Sequence, residues 1–248
     1  MKKFKEFVVA ILILGALGFF IYYLLQSTNQ NRALARSIAE LSPRGGPPET
    51  IEGLEKAIEL YREQHERNIR EAAQTGVYWK ILATRYMDRN MHNNALEAIE
   101  WAVYYNGGDP YLFFIRGISA AEVARNVSGF SNSAVIEKER YYSMAETAFK
   151  RALELDITYT KAMFELALMY VLDLNRSSDA IDYLERFLQL LPSDINAMMV
   201  LARAYYLTEN FSRAIEMYDR IASRTNDRQL KEDALNNKYF IQGILNEY

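Results

Sequence analysis

The chain has 248 residues, 29 Lys and Arg against 32 Asp and Glu, two His and no Cys. A formal charge of -3 gives no electrostatic case for nucleic-acid binding. The lack of Cys removes any disulfide framework, thiolate metal site or cysteine nucleophile, and two imidazoles leave little for zinc or Ser-His chemistry. Five Pro and 11 Gly are few for this length and favour helix over sheet or disorder.

In chain order, residues 1–6 hold three Lys and form a short stub ahead of Phe7 to Leu25, which runs 19 residues without a charge. At about 1.5 Å per residue this run spans roughly 28 Å as a helix, close to the hydrocarbon thickness of a bilayer. Tyr22 and Tyr23 fall at its end, where amphipathic rings prefer the headgroup level. The competing reading is a cleaved signal peptide, whose apolar region is typically about 7–15 residues followed by a small-x-small site. Gln26 to Gln30 supply no such site, so the segment reads as an uncleaved signal anchor with a single transmembrane helix over 7–25. The Lys cluster places the N-terminus in the cytoplasm. The rest of the chain is then extracytoplasmic, in the periplasm if the source is bacterial and the membrane its inner one. Residues 26–48 form a juxtamembrane segment ending in the spacer Ser42-Pro43-Arg44-Gly45-Gly46-Pro47-Pro48, which breaks any helix.

From Glu49 onward the apolar spacing is helical and no strand alternation occurs, so the fold class is all-α. Residues 49–75 read as an N-terminal capping helix, 76–228 as four repeats, and 229–248 as a C-terminal capping helix. Leu235, Tyr239, Ile241 and Leu245 are candidates to seal the last repeat. Trp79-x2-Leu82-Ala83-x2-Tyr86 recurs as Met163-x2-Leu166-Ala167-x2-Tyr170 and as Met198-x2-Leu201-Ala202-x2-Tyr205. Second helices follow one design, from Ala95-x3-Ile99-x2-Ala102 through Ala145-x3-Phe149-x2-Ala152 and Ala180-x3-Leu184-x2-Phe187 to Ala214-x3-Tyr218-x2-Ile221. Their leading alanines lie 50, 35 and 34 residues apart. Small residues let paired helices approach closely, and large ones fill the spaces between them. The pattern resembles the tetratricopeptide repeat, a helix-turn-helix of about 34 residues. The resemblance implies a solenoid that binds proteins, here preceded by the membrane helix.

The long interval belongs to the second repeat, where Phe113 and Gly117 fit the first-helix pattern but Arg116 and Ala120 replace its Leu and Tyr. An insertion at about 125–137 accounts for the excess. It reads either as a surface loop or extended helical hairpin, or as a partner-contacting loop with Phe130 as anchor.

No catalytic constellation emerges. His92 falls in the turn Asp88 to Asn94 and reads as exposed, and His65 sits among charges on a helical face. The expectation is a protein that is no enzyme, with no cofactor and no metal site. In the family, first helices line a concave surface whose exposed face binds peptides. Carried over by register, that face is Val77, Lys80, Thr84 and Met87; Tyr111, Phe114 and Ile118; Lys161, Phe164, Leu168 and Leu172; and Asn196, Met199, Arg203 and Tyr206. Lys80 matches one element of the basic clamp with which some members grip a C-terminal carboxylate, but Thr84 stands where that clamp has Asn. An apolar groove of Tyr111, Phe114, Ile118, Phe164, Leu168, Leu172, Met199 and Tyr206 suits an amphipathic helix or apolar peptide instead. The alternative is a face covered by the insertion, by the N-terminal helix or by a second copy in a homo-oligomer. The functional expectation is a membrane-anchored scaffold or adaptor in an envelope complex. A chaperone-like, translocon-associated protein receiving exported unfolded clients is the runner-up.

Overall fold

The computed structural model describes residues 32–41, 50–129 and 131–246. The expected stub, the membrane span 7–25, the Pro/Gly spacer and Phe130 therefore lie outside the described residues. Among the described residues no helix is long and apolar enough to cross a membrane. Two compact units divide the chain, residues 1–71 and 72–248.

The first unit holds α1 (residues 32–41) and the first part of α2 (Ile51–Met87). Thr50 Oγ1 accepts a hydrogen bond from the Gly53 amide at 3.0 Å, satisfying one of the free donors of the α2 N-terminus. Ala57 is buried, whereas Ile51 and Ile58 stand in solvent. Where the sequence suggested a capping helix to residue 75 and a new helix at 76, α2 runs unbroken through both for 37 residues. The reason lies at Gly76. A Cβ there would sit 2.7 Å from the Tyr105 Cβ, so this glycine serves a close helix approach and not a break.

The second unit continues with α3 (His92–Tyr105), α4 (Pro110–Asn126), α5 (Asn132–Leu155) and α6 (Thr160–Leu172). After them come α7 (Ser177–Leu190), α8 (Ile195–Leu207), α9 (Phe211–Arg224) and α10 (Arg228–Asn246). First helices α4, α6 and α8 begin three residues before Phe113, Met163 and Met198, which fixes the register of the second repeat. Asp109 and Asp194 cap α4 and α8 by accepting from Tyr111 N and Ala197 N, at 2.9 and 2.8 Å. The turns into α3, α7 and α9 each carry a left-handed residue, Asn90, Asn175 and Glu209. Asn tolerates that conformation; Glu does so at some strain.

The small residues are the contact points. Ala83, Ala95, Ala120, Ala145, Ala167, Ala180, Ala202 and Ala214 are all fully buried. Gly117 takes the place of Ala167 and Ala202, and even a methyl there would meet the Phe149 ring at 2.5 Å. Large apolar side chains such as Ile99, Phe149, Leu166, Tyr170, Leu184 and Leu201 fill the spaces between these contacts, and each is at least 98% removed from solvent.

The excess of the second repeat is an extended helical hairpin. α4 has 17 residues and α5 has 24, against 13 and 14 in the third repeat. Ser131 caps the longer α5 by accepting from Ala134 N. At the other end α10 packs on α9 through Ala234 and Ile241, whereas Tyr239 and Leu245 are exposed. Two of the four residues expected to seal the end thus lie off the buried stripe. The seven-residue step from Ala234 to Ile241 is two helical turns and defines that stripe. His92 also departs from expectation: it opens α3 half-buried, with Nδ1 enclosed and without a partner.

Candidate functional site

α4 lies beside α6, and α6 beside α8, so the faces of these first helices adjoin. The residues expected on the concave face share one property. Tyr111, Phe114, Ile118, Phe164, Leu168, Met199 and Tyr206 are half-buried, and Leu172 and Arg203 are exposed. Their neighbours Phe113, Met163, Leu166, Met198 and Leu201 fill the core. Helical geometry explains the split, because Phe164, Leu168 and Leu172 recur every four residues on one side of α6 while Met163 and Leu166 fall on another. None of these residues is spent in the interior.

Aromatic contacts tie this face together. The Phe114 ring lies 6.4 Å from Tyr111 and 5.6 Å from Tyr159, the residue just before α6. Phe164 lies 5.6 Å from Phe187. Tyr206 lies 6.0 Å from Phe211 and 6.3 Å from Phe240 of α10. Tyr159 and Phe240 extend the row and were not anticipated. Tyr159 sits outside the first-helix pattern, and Phe240 is one residue past the Tyr239 that the repeat spacing favoured.

At the N-terminal end of the face Lys80 is not a free cation. Its Nζ lies 2.6 Å from Asp109 Oδ2 and 4.7 Å from the centre of the Tyr111 ring. Asp109 therefore caps α4 with one oxygen and holds Lys80 with the other. Val77, Lys80, Ile81, Thr84, Arg85 and Tyr111 line a depression of about 520 Å³ here.

Polar bridges lock successive repeats in phase. Glu146 of α5 accepts from Tyr170 Oη and Arg176 Nη1 at 2.8 Å each, and from Lys150 Nζ at 2.7 Å. Burial alone would raise its pKa, but the hydrogen bonds from Lys150, Arg176 and Tyr170 outweigh it and hold the carboxyl down to about 2. Tyr205 repeats the device by donating to Glu185 of α7 at 2.5 Å, with Arg213 also bonded to Glu185 at 3.0 Å. Burial and the bond to Glu185 push the Tyr205 phenol up to about 12. Arg125 at the end of α4 grips Asp173 beyond α6 through two nitrogens, at 3.3 and 2.7 Å. The face is thus presented on a braced scaffold. Among the described residues no group of three or more His, Asp or Glu is placed to hold a metal.

The tetratricopeptide-repeat family model matches residues 171–232, from the end of α6 to the start of α10. A thermophilic tetratricopeptide-repeat protein of Thermus thermophilus shares the fold with a TM-score of 0.51 at 18% identity, over 73% of this chain and 90% of that one. The fold is a tetratricopeptide-repeat solenoid. YrrB, whose structure is described as a tetratricopeptide-repeat protein with an unusual peptide-binding site, covers 88% of each chain with a TM-score of 0.50 and 21% identity. A TPR repeat-containing protein of Borreliella burgdorferi (strain ATCC 35210 / DSM 4680 / CIP 102532 / B31) is 22% identical over 206 residues, 80% of this chain and 85% of the relative.

Proposed function

We propose that this solenoid is a membrane-anchored scaffold that holds a protein segment on the apolar face of its first helices. The observation that carries the reading is the half-exposed row Tyr111, Phe114, Ile118, Phe164, Leu168, Met199 and Tyr206 on adjoining helices. A monomer gains nothing from leaving such a row in water, and exposed apolar surface of this kind marks interaction sites. The occupant is an amphipathic helix or extended apolar peptide, which supplies its own backbone hydrogen bonds or leaves them to solvent. YrrB, described as having a peptide-binding site, is a precedent for the fold in that role.

The uncharged run from Phe7 to Leu25, behind Lys2, Lys3 and Lys5, anchors the module with its N-terminus cytoplasmic and its solenoid outside the cytoplasm. Confinement to a thin layer raises the effective concentration of the face toward envelope partners, which suits a scaffold or adaptor. Catalysis forms no part of this reading. The test is purification of the full chain from native membranes in mild detergent after crosslinking. One partner at near-equal stoichiometry supports a scaffold. A broad set of exported proteins would replace it with a chaperone, and recovery of the chain in the soluble fraction would remove the anchor.

A further inference from the structure

The second repeat departs from its neighbours at two positions that face away from the concave row. Arg116 stands where Leu166 and Leu201 are buried, and Ala120 where Tyr170 and Tyr205 reach across to Glu146 and Glu185. Arg116 is two residues from both Phe114 and Ile118, half a turn away, so it points to the opposite side of α4. The groove between α4 and α5 holds a slot of about 690 Å³, and Arg116 stands in its lining.

Four cations line it, Arg116, Arg140, Lys150 and Arg151, around a floor of Phe113, Met144 and Ala148. Three have carboxylate partners: Arg116 with Glu100 at 2.6 Å, Lys150 with Glu146 at 2.7 Å and Arg151 with Glu154 at 2.8 Å. Arg140 has none among the described residues and lies 4.8 Å over the Tyr141 ring. Arg116 also keeps its Nε enclosed without any acceptor. A buried donor left unmade is costly, and guanidinium N–H groups prefer a planar oxyanion. The uncompensated charge amounts to one, which selects a monoanion over a phosphate dianion. The apolar floor selects an anion with an apolar neighbour.

We propose that this slot is a second binding site, one that takes the side-chain carboxylate of an acidic protein segment while Phe113, Met144 and Ala148 receive an adjoining apolar side chain. It lies on the opposite side of α4 from the concave row. A partner threaded along the concave face does not compete with a segment in the slot.

The test uses the full chain in detergent micelles and fluorine NMR of a capped peptide, acetyl-Leu-Glu-fluorophenylalanine-amide, beside its Gln counterpart. The Glu peptide should broaden and the Gln peptide should not. Arg140→Glu, at an exposed position, should weaken binding at least about tenfold, the loss expected for one charge-assisted hydrogen bond. Arg116→Leu, which restores the residue type of the other repeats, should do the same without loss of helicity. Leu168→Glu on the concave face should leave this binding unchanged, so the slot and the concave site fail separately. The proposal is overturned by equal broadening of the Gln peptide, by no broadening of either, or by binding that survives both slot variants. Displacement by inorganic phosphate at lower concentration than by acetate would overturn the choice of a monoanion.

Discussion

Gly117→Ala adds one methyl to the middle of α4, and its outcome separates packing from helix propensity. In a helix interior the change alone stabilises by about 1 kcal/mol. Here the new Cβ would lie 2.5, 2.6 and 2.8 Å from three atoms of the Phe149 ring. Phe149 is 1% exposed and its ring is flanked by Phe114 at 6.3 Å, so it has no open space to move into. Relief requires α4 and α5 to part or the ring to leave its rotamer, a strain of about 2–4 kcal/mol after both adjust. The expected net effect is a loss of about 1–3 kcal/mol, read as a melting temperature lower by roughly 2–12 °C in a chain of this size. Gly243→Ala is the control, because nothing lies within 4 Å of a Cβ there. It should stabilise by up to about 1 kcal/mol. Circular dichroism melts of both variants beside the parent decide the matter. A Gly117→Ala protein as stable as the parent, with Gly243→Ala behaving as expected, would refute the close α4–α5 approach.

Leu168→Glu should abolish partner capture while costing about 1 kcal/mol or less, whereas Leu166→Glu, at a fully buried site, should unfold the repeat; pull-down and melting measured together distinguish the two. For Glu146 the folded pKa of about 2 lies below its ordinary 4.5, so its contribution is present above pH 4.5 and lost as pH falls toward 2. The full shift corresponds to about 3 kcal/mol, and screening around half-exposed Arg176 and Lys150 reduces it to about 1–2. Urea titrations of Glu146→Gln and parent should differ by that amount at pH 7 and converge near pH 2. Glu209→Gly should raise the melting temperature slightly by relieving a left-handed glutamate, worth about 1 kcal/mol or less.

Much of the solenoid was legible because its signals are periodic. Ala95, Ala145, Ala180 and Ala214 mark four second helices by spacing alone, and every one is buried at a helix contact. The residues expected on the first-helix face were placed from the same register, and they are half-buried or exposed. The boundary expected between residues 75 and 76 does not exist, and only the proximity of Tyr105 to Gly76 reveals the packing role of that glycine. Arg116 and Ala120 were visible as departures, but the slot that Arg116 lines depends on α5, whose Arg140 lies 24 residues further along. The bridges among Tyr170, Glu146 and Arg176 span 24 to 30 residues of sequence and have no periodic signature. Charged side chains at exposed helical positions look alike until the helices are placed.

A photocrosslinking residue at Leu168, in native membranes, tests most directly whether the first-helix face holds a partner. A second probe at Asp182, exposed on α7, serves as the control. One dominant protein adduct should form from Leu168 and none from Asp182. No adduct from Leu168, or the same adducts from both positions, would contradict it.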